Sequence, residues 1–596
     1  MSYPTAQLRI LETTDLHMHV LAYDYFADRP APGIGLRQLA CLVDTLALDA
    51  VPTLLCDNGD FLQGNPLADY AIETAPKDTP HPMIAAMNLM GYDAVALGNH
   101  EFNYGLAQLR AALSFAEFPV LCANMTEDGR PVAQPTLIVT KDLPCSDGQT
   151  RPLRIGLFGV VPPQVALWDH DVLQDSTRTA DIVETAKTCT ADLRAKGADI
   201  VVALCHSGLG DHDAKLGQEN AVVPVAALEG IDVVLAGHTH ECFPDQNLPA
   251  SGPVDPQSGT VHGKPVVQAG FNGRYVGQID CALTWDGTQW SLTAHKTQLV
   301  QAPADPAPTA TAQKIETTVA RAHTETLQKI KQPVAQTALA ISSHFTMLQG
   351  DPALQLLAQA QRNALIGSCP DRDWGTLPVV SAVSPFLAGG RAGPQHYINI
   401  PAGPIFLRDA SAIYPFSNSI YGLRLSGKAV RQWLDRAARV FNHIHRDAPQ
   451  QALLGDRRAP YYFDMLYGLT YEIDLGKPRD RITRLAYEGV ELSDDDHIIV
   501  ATNSYRANGG GGLLSHLDGA VACRSEVSVR DALVQHLNLR GHLAVPYTPP
   551  WTFAPMGGTE ALFYTAPEAD PAAVRGYRVS ATGQILDGFG EFTVTL

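Results

Sequence analysis

The sequence predicts an α/β protein whose first half builds strands buried on both faces. Two observations carry this. Short apolar runs recur, "LRILETT", "VPTLLCDN", "DAVALGN", "FPVLCAN", "LRIGLFGVV", "DIVVALCHS", "IDVVLAGH" and "KPVVQAG", each ending in polar residues or Gly. Strands covered on two sides read as such runs rather than as alternation. Between them lie segments of helical periodicity, such as "HPMIAAMNLMG" and "GLAQLRAALSFA", which supply the covering layers.

A third observation divides the chain. Its 596 residues exceed what one hydrophobic core usually serves. Near residue 300 the composition changes to the Pro/Ala/Thr-rich "QAPADPAPTATAQK", which reads as a linker. "IETTVARAHTETLQKIKQ" then runs without Gly or Pro and reads as a helix. The expected organisation is a first domain over 1–300, a linker and bridging helix over 301–335, and a second domain over 336–596. The second domain mixes helices ("SGKAVRQWLDRAARVFNHI") with strands ("IYGLRLSG", "LTYEIDL", "HIIVATN"), and "FGEFTVTL" reads as a final strand.

Composition narrows the partners. With 43 basic and 62 acidic residues the net charge is −19, so coating a nucleic-acid polymer is disfavoured. A small anion is still admissible, because bound cations or a few Arg invert the local field. No apolar run is long enough for a membrane span, and no protein partner is indicated. "MSYPTAQLRILETTDLH" lacks the basic and apolar regions of a secretory signal. The ten Cys include no CxxC pair, and several sit in apolar runs. They read as buried free thiols, so a reducing, cytoplasmic location is expected.

The chemistry gathers where the apolar runs end. Asp15-Leu16-His17 follows the first, Gly59-Asp60 the second, Gly98-Asn99-His100-Glu101 the third, His206-Ser207-Gly208 a later one, and Gly237-His238-Thr239-His240 the next. Ligands of α/β sheets bind beyond the carboxyl ends of strands, so five distant segments can converge. Imidazole, amide and carboxylate donors suit Zn, Mn or Fe. Singly, each element is weak: Asn99 could equally cap a helix. The ordered set is far less accidental.

That order resembles the calcineurin-like metallophosphoesterases. "YPFSNSIYGLRLSGKAV", "FDMLYGLTYEIDL" and "ATNSYRANGGGG" resemble the C-terminal domain of the 5′-nucleotidase family. "LHMHVLAYDYFADRP", "DNGDFLQGNPLADY" and "GNHEFNYGL" are most similar to its bacterial 2′,3′-cyclic-nucleotide 2′-phosphodiesterase/3′-nucleotidase branch. The resemblance implies a four-layer β-sandwich flanked by helices, α+β overall once the C-terminal α/β domain is added. It implies two divalent cations (Zn, Mn, Fe or Co). One would be held by Asp15, His17 and His240, the other by Asn99, His206 and His238, with Asp60 bridging. It implies a nucleotide substrate, and a periplasmic location as the alternative to the cytoplasm. His100 would face the scissile phosphate. Position 103, an Asp in many 5′-nucleotidases, is Asn103 here, so His100 is expected to be oriented but to lack an acidic partner. Phe416 and Tyr505 would stack on the base, with Asn508 beside them, and the Gly389-Gly390-Arg391 loop would approach the substrate. A 5′-nucleotidase or nucleotide-sugar hydrolase is the competing enzyme. A sensor with a degenerate centre is the competing non-enzyme, but all seven ligand positions carry competent donors.

Overall fold

The computed structural model describes residues 3–596 apart from 76–77, 370–373, 447, 456–458 and 545–546. It divides into two compact units, Met1–Gln328 and Lys329–Leu596.

The first unit is a sandwich of two sheets. In one, strands Thr5–Thr13, Thr53–Asp57 and Ala94–Ala96 run parallel side by side. In the other, Thr150–Val160, Ile200–Cys205 and Val233–Ala236 do the same. Leu8, Ile10 and Leu54 of the first sheet meet Ile155, Ile200, Val202, Leu204 and Leu235 of the second in one buried core. The alternate residues Val201, Ala203 and Cys205 point the other way, into a core shared with helices Ile182–Ala195 and Val222–Ala227. This is why "DIVVALC" shows no alternation: both of its faces are apolar because both are covered. Two of its helices begin where a short polar side chain accepts from a first free amide. Asn65 caps Pro66–Glu73 through Leu67 N, and Asp181 caps Ile182–Ala195 through Glu184 N.

Helix Ala310–Ile330 starts inside the segment expected to be a linker and stops before the Gln332-Pro333 pair. Proline cannot continue a helix, which fixes that end. Its first five turns lie on the first unit, through Glu316 to Arg37 (2.6 Å), His323 to Tyr25 (2.8 Å) and Glu325 to Tyr70 (2.5 Å).

The second unit is built on a nine-stranded mixed sheet. Val379–Val383 lies parallel to His497–Asn503, and Ser419–Ser426 lies antiparallel to the latter, pairing Ile420 with Asn503. Helix Pro352–Ser368 packs across them, and its buried Gln361 donates to Ser381, Ala382 and Ala501. "FGEFTVTL" does end the chain as a strand, Phe589–Thr595, in a separate four-stranded sheet.

The expectation that every cysteine is a free thiol is corrected at two positions. Cys369, at the end of helix Pro352–Ser368, is bridged to Cys523 in strand Gly519–Ser528. The two are 154 residues apart, and only the packing of that helix on that strand brings them together. Eight others are free, and all of these but Cys242 are buried. Thiol titration of the unfolded, unreduced protein is expected to count eight groups, rising to ten after reduction. Ten before reduction would refute the bridge.

Candidate active site

Each strand that carries a predicted site residue ends at the same edge of the sandwich. Asp15 and His17 follow Thr5–Thr13, Asp60 follows Thr53–Asp57, and Asn99 and His100 follow Ala94–Ala96. From the other sheet, His206 follows Ile200–Cys205, and His238 and His240 follow Val233–Ala236. Parallel pairing within each sheet aligns these ends, and the shared core brings the two sheets' ends together.

Two clusters result. Asp15, His17 and His240 form one, Asp60, His206 and His238 the other, each with donor atoms within 4.8 Å of one another. In the first, the Nε2 atoms of His17 and His240 face each other at 2.8 Å, and Asp15 Oδ1 lies 3.8 and 3.4 Å from them. In the second, Asp60 Oδ2 is 3.1 Å from His206 Nε2. Asn99 is not an N-cap of the short turn His100–Phe102: its side chain makes no cap bond and its Oδ1 faces His238 Nδ1 at 2.8 Å.

Whether cations fit can be judged from the donor atoms. Asp15 Oδ1, Asp60 Oδ2 and His206 Nε2 are buried without a well-formed hydrogen bond, although Asp60 Oδ2 and His206 Nε2 lie 3.1 Å apart. Buried polar atoms are almost always paired, so three such atoms at one set of strand ends point to an absent partner. Neighbouring carbonyls fix which ring nitrogens are turned inward. His17 Nδ1 is 3.0 Å from Gln63 O, and His206 Nδ1 is 2.6 Å from Asn58 O. A carbonyl can only accept, so each Nδ1 carries a hydrogen and each Nε2 is the ring atom turned inward. Glu219 takes the same part at His238, accepting at its Nε2 (2.8 Å) and turning Nδ1 inward.

The two rings differ electrostatically. Burial, then His240, lowers His17 to about 3, leaving it neutral and able to ligate. Burial acts downward on His206 too, but Asp60 overrides it and lifts His206 to about 10, so His206 is cationic beside Asp60 and a bound cation would have to displace its proton. Asp60 is held well below the usual carboxylate range despite burial, because His206 and His100 face it. The site therefore retains positive charge where the carboxylates converge.

The backbone is strained at the same place. Asp15, His17, Asp60, His238 and His240 have φ of 50°, 44°, 62°, 71° and 59°. Residues with a Cβ avoid this region, at about 1–2 kcal/mol each, and such outliers gather at functional sites. Gly98 is required for closeness, since a Cβ there would sit 2.3 Å from Asp60 Oδ1 and 2.7 Å from His206 Cε1.

Sequence reasoning left Glu101 without a part, although it stands inside the quoted "GNHE". Its Oε2 accepts from Asp60 N and Gly98 N, both at 2.7 Å, and its Oε1 from Phe61 N (2.7 Å) and Leu62 N (3.0 Å). One buried carboxylate thus ties the loop carrying Asp60 to the loop carrying Asn99 and His100.

At His100, Nδ1 meets Asn103 Oδ1 at 2.7 Å. An acid stands one hydrogen bond beyond this pair. Asn103 Nδ2 donates to Asp169 Oδ1 at 3.0 Å. This carboxylate touches Asn103 rather than His100, and it lies on a segment 66 positions away, where no sequence signal reveals it. Trp168, beside it, stacks on His238 with centroids 5.9 Å apart and planes at 16°.

The predicted substrate residues gather within the second unit. The "FLAGGR" loop follows Val379–Val383, Tyr505 and Asn508 follow His497–Asn503, and Phe416 precedes Ser419–Ser426. The mixed pairing puts these three strand ends at one edge of the sheet. Phe416 contacts Phe386 of that loop edge-on at 5.1 Å. Gly389 has φ 74°, and a Cβ on it would meet the Tyr397 hydroxyl at 2.0 Å. Gly390 (φ 63°) opens the short turn that presents Arg391. Gly510 lies so close to the Tyr505 ring that its Cβ would come within 2.4 Å, so the glycine run sits against the aromatic. Asn508 Nδ2 is buried without a partner in the structure. Sequence reasoning missed Tyr461, whose hydroxyl accepts from Arg391 at 2.6 Å and whose carbonyl accepts from Arg506 at 3.1 Å. It joins the Arg391 loop to the Tyr505 turn.

A two-sheet sandwich with paired His/Asp clusters at its strand ends defines a metallophosphoesterase, a class that uses divalent metals. Residues 8–242 match the calcineurin-like phosphoesterase family, and residues 334–518 match the 5′-nucleotidase C-terminal domain. The chain belongs to the calcineurin-like phosphoesterases that carry this second domain. It is 33% identical to a 2′,3′-cyclic-nucleotide 2′-phosphodiesterase/3′-nucleotidase of Yersinia enterocolitica, over 99% of this chain and 96% of that protein. It is also 33% identical to the trifunctional nucleotide phosphoesterase protein YfkN of Bacillus subtilis, over 99% of this chain but only 42% of that longer protein. A putative 5′-nucleotidase of Staphylococcus aureus superposes with a TM-score of 0.73 at 20% identity, covering 92% of this chain and 100% of the other, which shows the shared fold.

Replacing Glu101 with Gln sets an NH₂ group against backbone N–H donors. The expected cost is about 2–4 kcal/mol in urea unfolding, with cation affinity falling at least roughly tenfold as the two loops separate. Unchanged unfolding and unchanged Mn²⁺ binding would show that Glu101 does not hold them.

Proposed function

We propose that this chain is a metal-dependent phosphohydrolase of nucleotides. It opens 2′,3′-cyclic nucleotides to 3′-nucleotides, then releases nucleoside and phosphate. The observation that carries this reading is the pair of clusters with orphaned, buried donor atoms beside His100, in a chain similar end to end to a protein named for that activity.

Asp15, His17 and His240 would hold one cation, and Asn99, His206 and His238 the second, with Asp60 between them. When bound, the pair supplies positive charge for the phosphoryl oxygens and makes an attacking water acidic near neutral pH. The remaining work falls to the chain. In the first reaction water adds to phosphorus as the P–O2′ bond breaks, and in the second another water adds as the P–O3′ bond breaks. Each leaving oxygen needs one proton, which His100 is placed to give. Glu219, Gln63 and Asn58 keep the imidazoles turned inward. Arg391 and the aromatic rings of Phe416 and Tyr505 serve the nucleotide. Stacking requires only a π-face, which tolerates several bases.

The domain limits are kept as 1–300, 301–335 and 336–596. Among the described residues no helix is long and apolar enough to cross a membrane. For location, the Cys369–Cys523 bridge favours the oxidising, periplasmic alternative over the cytoplasm.

With Mn²⁺ added, kcat/KM is expected to be higher for 2′,3′-cyclic AMP and 3′-AMP than for 5′-AMP. Preference for 5′-AMP would assign the chain to the 5′-nucleotidases instead. Asp60→Ala is expected to abolish cation-dependent turnover, and His100→Ala to lower kcat by about 10²–10⁴-fold. Wild-type turnover in both variants would refute the site.

A further inference from the structure

We propose that Asp169 decides which way the Asn103 amide points and, through that amide, which ring nitrogen of His100 carries a hydrogen. Asp169 is then a positioning residue for proton transfer by His100; the inference rests on the part given to His100 above.

The argument is one of hydrogen-bond polarity. An Asn amide has an accepting end and a donating end of nearly equal size, and by shape alone either can face a neighbour. Here both ends are occupied, by His100 Nδ1 at 2.7 Å and Asp169 Oδ1 at 3.0 Å. Burial raises the Asp169 carboxyl to about 7, so above that pH it is an ionised carboxylate that only accepts, and the NH₂ end must face it. The carbonyl end must then face the ring, and a carbonyl only accepts, so Nδ1 of His100 carries the hydrogen. Nε2 is thereby fixed as the nitrogen that exchanges a proton with the substrate. Without Asp169 the amide can turn over and donate to Nδ1, which moves the hydrogen of the neutral ring to Nε2.

The segment that carries Asp169 is itself held to the site. Asp169 lies between the short helices Val165–Trp168 and His170–Leu173. Trp168 stacks on His238, so the same dipeptide touches a candidate cation ligand on one side and the His100–Asn103 pair on the other. A carboxylate directly on an imidazole supplies charge and orientation together. An amide between them passes on only orientation.

The test uses the full-length, Mn²⁺-loaded protein and aryl phosphate esters whose leaving groups span a wide range of pKa, so it does not depend on nucleotide recognition. If His100 protonates the leaving oxygen, a good leaving group needs it least. Asp169→Ala is expected to lower kcat about 10–100-fold for the poorest leaving groups and only about threefold for p-nitrophenyl phosphate, with KM and bound Mn²⁺ unchanged. The same substitution made on top of His100→Ala is expected to add nothing, because the two act as one unit. Asn103→Asp combined with Asp169→Ala restores a fixed polarity at Nδ1 and is expected to recover turnover to within about fivefold. Asp169→Asn keeps the shape but frees the amide, and carries the test if Asp169→Ala does not fold.

An equal loss across all leaving groups, additivity with His100→Ala, or loss of Mn²⁺ would overturn the proposal. A readout without turnover is the ¹⁵N spectrum of the histidines in the metal-free protein, with His100 assigned by its disappearance in His100→Ala. Its Nδ1 is expected at the protonated position in wild type and displaced in Asp169→Asn; an unmoved resonance counts against the proposal. Aryl ester hydrolysis without nucleotide hydrolysis would refute the proposed substrate and still decide Asp169.

Discussion

Everything at the strand ends of the first unit depends on one electrostatic constraint: donors converge there with nothing to receive them. Asp15 Oδ1, Asp60 Oδ2 and His206 Nε2 are buried there without well-formed hydrogen bonds. In low dielectric such an arrangement is stable only with positive charge among them. The protein prepares the place in advance, with left-handed backbone at five of the seven candidate ligands and glycines where a Cβ would collide. Strain of this kind persists only because the sandwich beneath it is rigid and fully buried.

Around those donors a ring of acceptors does the orienting. Gln63 O, Asn58 O and Glu219 each take one imidazole N–H, and Glu101 takes four backbone amides. Asp169 belongs to the same ring, acting through Asn103. None of these groups is one of the seven candidate ligands. They decide which atom of each such residue is turned inward, which is how a few ångströms of geometry become chemistry.

The second unit follows another logic. The residues proposed for the substrate come from loops at one edge of a mixed sheet, where Tyr461 accepts from both Arg391 and Arg506. The glycines around Tyr505 are there for contact: Gly510 lies against its ring, and only a residue without a Cβ fits.

The sequence by itself determined the architecture and the candidate ligand set. Strands covered on both faces leave continuous apolar runs, and the ligand motifs stand within a few residues of each strand end, so DxH, GD, GNHE, H and GHxH were legible as local patterns. The helix Ala310–Ile330 was legible too, but not its early start, because Ala and Thr suit a helix once Thr309 can cap it. Only the tertiary structure decided the partners. Cys369 finds Cys523 across 154 residues, Glu219 finds His238 across 19, and Asp169 finds Asn103 across 66. Such pairs leave no periodicity or spacing, because each partner is an ordinary polar residue or cysteine in its own segment. Asn103 is the clearest case. Its sequence says that an amide and not an acid stands beside His100, and the fold places an acid on the far side of that amide.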